Sequence, residues 1–333
     1  MDDMRNGFSL SSLPVNNDGP IPTPPTSSYS RRDIPKSLAE AQLNSGILTL
    51  HREKHQVNIK DLEVLEELSH GNFGTVYRCK WQDNVMAVKI MQLSADASVM
   101  DKILMDLEVI RLSSCPYIVE FYGYFISETD LKICMERLAI CFDRLMKKIQ
   151  QPIPEAVLGV MSVSVVNALH YLKNVHKIMH RDIKPSNILL DWSGVVKLCD
   201  FGIARRLVES RAITLTAGCF FYMPPERFDM ETTSYDIRSD VWSFGITLVE
   251  LATGKYPYAG QEYQIIGAIM HGELPRLKVN DGFCPELCNL VERCIQKRPT
   301  DRPNFEMLLS HPFIQMGYQP SLDEWLQDIM SMP

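Results

Sequence analysis

A change of hydrophobic period midway along the chain constrains its fold more than any other feature. Before the midpoint, apolar residues fall in short runs broken by polar turns, at 61–65, 75–81, 85–90, 118–125 and 131–135. Short alternating runs have the period of half-buried strands. One helical run, 98–112, lies among them. From Pro154 the period becomes helical, over 155–172, 238–253, 262–271, 285–294 and 304–309. Strands first and helices later predict an α+β chain: a small sheet-rich lobe with one main helix on a larger helical lobe.

The chain has 333 residues, 45% hydrophobic and 23% charged, so it can bury a large core without crosslinks. The net charge of −7 lacks the basic footprint of a nucleic-acid binder and gives no pull toward anionic lipid. Neither nucleic acid nor membrane is expected as a partner. The most apolar stretch, 156–172, is broken by Gly159, Ser162, Ser164 and Asn167 and reads as a buried helix. The 9 cysteines are scattered without a C-x-x-C pair, as expected of reduced thiols. The polar start, with no apolar run after it, predicts a soluble intracellular protein; the expected compartment is the cytoplasm, with the nucleus as a second.

Residues 1–59 differ from the rest. Prolines at 14, 20, 22, 24, 25 and 35 stand among Ser, Asn and Thr, with little to bury. This segment reads as a disordered tail, with a short helix possible at 36–43, stopped by Asn44-Ser45-Gly46. The expected boundaries are a tail over 1–59, a two-lobed domain over 60–314 and a helical tail over 315–333. Within the domain, 60–137 forms the first lobe, and the hinge and second lobe occupy 138–314.

Three places carry chemistry. Leu68-Ser69-His70-Gly71-Asn72-Phe73-Gly74 joins the first two strands, and its glycines let backbone amides approach phosphate oxygens. An ordinary hairpin turn is the competing reading. Lys89 ends the apolar run Ala87-Val88-Lys89 and needs an anion if it turns inward. His180-Arg181-Asp182-Ile183-Lys184-Pro185-Ser186-Asn187 puts an acid, a cation and an amide into one loop, and Asp200-Phe201-Gly202 follows a short strand at 195–198. Asp182, Asn187 and Asp200 in that order can meet one metal–phosphate group.

These segments, with Pro224-Pro225-Glu226, resemble a protein kinase over about residues 61–314. Ile103-Leu104-Met105-Asp106-Leu107, Cys199-Asp200-Phe201-Gly202-Ile203 and Ala217-Gly218-Cys219 look like the MAP kinase kinases, dual-specificity enzymes that phosphorylate Thr and Tyr in MAP kinases. No proline-rich insert lies between Pro257 and Cys284, unlike the ERK-activating members. Cys115-Pro116-Tyr117-Ile118-Val119 and the stretch 183–191 are most similar to the JNK-activating stress branch.

The resemblance implies ATP and magnesium as cofactors and a role for each residue. Lys89 would hold the α and β phosphates, with Asp106 of the following helix against it. Glu108 is the rival acid, about 200° further round the helix. Asp182 would align the substrate hydroxyl and take its proton, and Lys184 would neutralise the transferring phosphoryl group. Asn187 and Asp200 would bind magnesium. Leu68, Ser69, His70, Gly71, Asn72, Phe73 and Gly74 would cover the nucleotide. Val76 and Ala87 would roof the adenine, Leu189 would floor it, and Met135 would be the gatekeeper beside the hinge groups of Glu136 and Leu138. Cys141 either faces the pocket mouth or is a buried inert thiol.

Ser210 and Thr214 match the family's phosphoacceptor pair, with Arg181 as the expected partner of a phosphate. Thr216 would belong to the substrate lip. Glu226 is expected to pair with Arg302, and Asp240 to hold the catalytic loop. Ser69 and Arg205 depart from the family pattern. Arg31-Arg32-Asp33-Ile34 loosely resembles a docking peptide for MAP kinases, with a solvated tail as the competing reading. Leu322, Trp325, Leu326 and Ile329 form one helical face, suited to an upstream kinase or to the chain's own helical lobe. Expected partners are a downstream MAP kinase, JNK-like by preference, an upstream MAP kinase kinase kinase and a scaffold protein. A general Ser/Thr kinase and a catalytically weak kinase-fold scaffold are the alternatives.

Overall fold

The computed structural model describes residues 38–71, 74–93, 103, 107, 111, 113–200, 220–229, 236–316 and 322–331. The described chain opens with helix α1 (Leu38–Asn44) and a hairpin of β1 (Ile47–Leu50) and β2 (Glu53–Gln56). Structure therefore begins well before residue 60, which corrects the expectation of a disordered tail through residue 59. The hairpin turn is His51-Arg52, with φ of 51° and 69°, where Asn-Gly is the usual signal. Strand β2 is mostly exposed, so no apolar alternation marks it either. Burial explains its order: Leu48, Leu50 and Val57 pack with Met86, Val88, Phe125 and Cys134. The Gly46 N–H donates to the Tyr124 carbonyl (2.8 Å), and the Tyr124 hydroxyl donates to the Ala41 carbonyl (3.0 Å).

Strands β3 (Glu63–Gly71), β4 (Gly74–Trp81), β5 (Asn84–Gln92), β6 (Phe121–Ile126) and β7 (Asp130–Glu136) form an antiparallel sheet in the order β3-β4-β5-β7-β6. Alternation along β5 sends Met86 and Val88 to the hairpin side, and Ala87 and Lys89 to the other face. On that other face Met91, Tyr124, Leu131 and Ile133 pack against Ile103 and Leu107, both helical and fully buried. Strand β3 lies at the sheet edge, and its register slips twice, leaving Leu65 and Leu68 without cross-strand partners.

The second lobe begins at β8 (Ile140–Cys141) and helix α2 (Phe142–Ile149), followed by α3 (Glu155–Tyr171). A π-helical turn at Leu172–His176 extends α3. The span 155–176 is long and apolar enough to cross a membrane, yet 67% of its most apolar window is buried inside the fold. Strands β9 (Ile188–Leu190) and β10 (Val196–Leu198) pair with β8 in the order β10-β9-β8. Helices α4 (Arg238–Thr253), α5 (Glu262–His271), α6 (Pro285–Cys294), α7 (Phe305–Leu309) and α8 (Pro312–Gln315) complete the lobe.

Helix α9 (Asp323–Ser331) lays Leu326 and Ile329, with the preceding Leu322, on the core that α3 and α4 share. Of the two uses the sequence left open for this apolar face, the structure places it on the chain's own lobe. Its seat needs a glycine: a Cβ on Gly194, at φ +81°, would lie 2.7 Å from the Leu322 Cβ.

Candidate active site

The loop between α3 and β9 is fixed from beneath. Both carboxylate oxygens of the buried Asp240, in the first turn of α4, accept backbone N–H groups: Oδ2 from His180 (2.8 Å) and Oδ1 from Arg181 (2.7 Å). Buried donors left unpaired are costly, so this carboxylate dictates where the loop turns. Arg181 takes φ +69°, a strained value for a bulky residue, and the two flanking amide bonds hold it there. His180 is fully buried. Its Nδ1 accepts from the Asp182 N–H (3.2 Å), so its Nε2–H donates to the Cys199 carbonyl (2.8 Å). Burial pushes this imidazole below its ordinary value, against the carboxylates of Asp240 and Asp182. It is a neutral strut between the loop and the Cys199–Asp200 peptide.

Above that base, Asp182 meets two side chains. Lys184 Nζ lies 2.7 Å from Asp182 Oδ2. The Asn187 amide nitrogen donates to the Asp182 carbonyl and to Oδ2, at 2.8 Å each. With its nitrogen so engaged, Asn187 turns its amide oxygen away from Asp182. Across the cleft Lys89, 5% exposed, donates to Asp200 Oδ2 at 2.7 Å. Asp200 adopts φ +60°, which short acidic side chains tolerate. The Asn187 amide oxygen and the second Asp200 oxygen are hard donors of the kind magnesium prefers, so this set fits that ion.

The residues expected to face the nucleotide fall on two surfaces. Val76 and Ala87 stand on β4 and β5 of the first lobe, with Val76 opposite Lys89 and Ala87 opposite Met135. Leu189 stands on β9 of the second lobe, opposite Cys141 and Lys197. Leu68, Ser69, His70, Gly71 and Gly74 belong to the β3–β4 hairpin. Its His70 Nδ1 lies 2.9 Å from the Thr75 hydroxyl, a bond within the hairpin. The Glu136 N–H donates to the Glu120 carbonyl (2.9 Å), and Glu136 ends β7 opposite Met86. Leu138 is half-buried between the lobes. Cys141 is half-buried at the N-cap of α2, and burial raises its thiol despite the nearby N–H groups of Arg144 and Asp143.

Asn72, Phe73, Asp106, Glu108, Arg205, Ser210, Thr214 and Thr216 lie outside the described residues. Among the described ones, Asp200 is the acid found on Lys89. Glu226 and Arg302 pair through two parallel bonds, 2.7 and 2.8 Å, and the guanidinium lies 5.1 Å from the Trp242 ring centroid. Composition and period gave no sign of a tie behind the hinge. Lys197 Nζ donates to both Glu136 carboxylate oxygens (2.7 and 2.8 Å), and the Glu120 N–H donates to one of them (2.6 Å).

Comparison with known proteins adds the family. The protein kinase domain family matches residues 62–314. The dual specificity mitogen-activated protein kinase kinase mek-1 of Caenorhabditis elegans is 51% identical over 327 residues, covering 96% of this chain and 94% of that protein. The human dual specificity mitogen-activated protein kinase kinase 7 is 43% identical over 309 residues, 90% of this chain and 74% of its own. The hemipterous kinase kinase of Drosophila melanogaster is 42% identical over 319 residues, 93% of this chain and 27% of its own. With a kinase-domain match over most of its length and a relative 51% identical across 94% of its own length, the chain belongs to the dual-specificity MAP kinase kinases.

Proposed function

We propose that this enzyme moves the γ-phosphoryl group of ATP onto Thr and Tyr in the activation loop of a JNK-like MAP kinase in a stress cascade. An upstream MAP kinase kinase kinase switches it on by phosphorylating Ser210 and Thr214. The observation that carries the chemistry is the pair of contacts across one cleft, Lys89–Asp200 and Lys184–Asp182–Asn187. Phosphoryl transfer needs positioning and charge neutralisation more than covalent help. Asp182 aligns the attacking hydroxyl and receives its proton. Lys184, already beside Asp182, meets the charge on the moving phosphoryl group. Lys89 exchanges its Asp200 partner for the α and β phosphates as nucleotide enters. The Asn187 amide oxygen and Asp200 would hold magnesium, which would supply further charge neutralisation. Phosphates on Ser210 and Thr214 pair with Arg181 and order the segment that carries the substrate lip. The preference for a JNK-like substrate rests on the 115–119 and 183–191 segments and on similarity to the kinase kinase 7 relatives.

The test uses protein with Ser210→Asp and Thr214→Asp, ATP, and a panel of purified MAP kinases. Dual phosphorylation of a JNK-type substrate ahead of other classes is the expected result. Adding Lys89→Met should lower transfer about 10²–10³-fold without moving the thermal midpoint. Preference for another MAP kinase class overturns the branch assignment, and transfer unaffected by Lys89→Met overturns the role of that lysine.

A further inference from the structure

We infer that Arg144 is a positioning residue that straps the roof of the nucleotide cleft to its floor and thereby sets how fast nucleotide leaves. The inference rests on the nucleotide reading above and concerns a contact outside the catalytic loop. Its origin is the irregularity in β3. Glu67 pairs with Tyr77 and Ser69 with Val76, so Leu68 has no cross-strand partner. A bulge of this kind re-aims a backbone group out of the ladder. The Leu68 carbonyl, at the entrance to the glycine-bearing turn, accepts a hydrogen bond from the Arg144 guanidinium on α2.

The two ends of this bond differ in how firmly they are held. Phe142 and Leu145 are fully buried in the second lobe, and they fix the helix turn that carries Arg144. Strand β3 is bonded on one side only, and its residues are exposed except for the half-buried Leu68. The guanidinium therefore gives a loose edge strand an anchor in the opposite lobe. Other ties among the described residues lie away from β3: Glu136–Lys197 behind the hinge, Lys89–Asp200 within the cleft, and the 113–119 segment, whose Ser114 N–H donates to the Tyr171 hydroxyl and whose Val119 N–H donates to the Leu198 carbonyl. Nucleotide held between the β3–β5 roof and the β9 floor leaves when the roof rises, and the Arg144 bond must break for that. One exposed, charge-assisted bond to a neutral carbonyl is weak enough to open in each turnover. Product release limits many enzymes of this type, so such a bond bears on rate.

The experiment measures dissociation of a fluorescent ADP analogue from the full chain by stopped flow, with the KM for ATP alongside. Arg144→Ala should release ADP about fivefold faster and raise the KM for ATP by a similar factor. Arg144→Lys, which keeps a donor, should fall between it and wild type. Lys147→Ala, one turn along on the same helix, removes the exposed pair with Asp143, touches no part of β3, and should match wild type. The thermal midpoint of nucleotide-free protein should stay the same in all three. A dissociation rate unchanged in Arg144→Ala, or raised equally in Lys147→Ala, overturns the strap. Wild-type protein that fails to retain ADP overturns the nucleotide reading beneath it, a result distinct from either.

Discussion

The two sides of the cleft are built differently. On the catalytic-loop side, polar groups are held by buried partners: Asp240 on two backbone N–H groups, His180 on Cys199, and Glu226 on Arg302. On the roof side, β3 is an exposed edge strand, and the hairpin of residues 47–56 braces the far face of its sheet. The floor is therefore a finished template, whereas the roof is assembled from pieces that lean on one another. Chemistry that depends on alignment sits on the floor, and the part that must admit and release a ligand sits on the roof.

The largest effect should come from breaking the floor. Glu226→Ala leaves the Arg302 guanidinium, with no exposed side-chain surface, without its carboxylate. Loss of one partner of a buried pair costs about 3–5 kcal/mol, so chemical denaturation should show a stability loss of that order. A loss below about 1 kcal/mol would mean that the floor is not held by this pair. Asp240→Ala should come next. It strips two N–H groups of their acceptor, for about 2–4 kcal/mol, and should depress catalysis beyond what the lost stability explains.

The roof should yield more gently. A Cβ at Gly123 of β6 would overlap the Ile47 carbonyl oxygen and come within 2.8 Å of the Leu48 side chain. Gly123→Ala should loosen the hairpin at a cost of about 1–3 kcal/mol. Hydrogen exchange should then rise in residues 46–57 and leave 180–187 protected. Equal exchange in both regions would erase the distinction between roof and floor.

The smallest effect is acid sensitivity. His180 and His311 are buried and His176 is half-buried, and each lies below its ordinary value of 6.5, with burial as the main cause. The unfolded chain takes up these protons first as pH falls. Their contribution is therefore intact above pH 6.5 and is lost below it. The thermal midpoint should drop between pH 7.5 and 5.5, and His176→Gln with His311→Gln should shrink the drop.

What the sequence disclosed follows from which interactions leave a periodic or positional trace. The helices at 238–253, 262–271 and 285–294 were legible to the residue because their apolar faces meet one core. The roles of Glu226, Arg302 and Asp240 could be placed because they sit at fixed points of a long motif. The hairpin of residues 47–56 left no such trace. Its turn uses His and Arg at positive φ, and β2 shows no apolar alternation. Arg144 was equally silent, since a guanidinium that meets a backbone carbonyl demands nothing of its partner's side chain. Nor does period reveal Lys197, whose partner lies 61 positions away on another strand.

The tie behind the hinge has a mechanical consequence. The Glu136 carboxylate joins the hinge to the segment entering β6 and to the strand leading to Asp200. A point gripped by two partners through three bonds behaves as a fulcrum, and the roof is then a lever that swings about it. Points near a fulcrum travel little and points far from it travel far. On the nucleotide reading proposed above, the side of the cleft beside Glu136 should stay nearly stationary through each swing, while Ser69 to Gly71 should travel furthest.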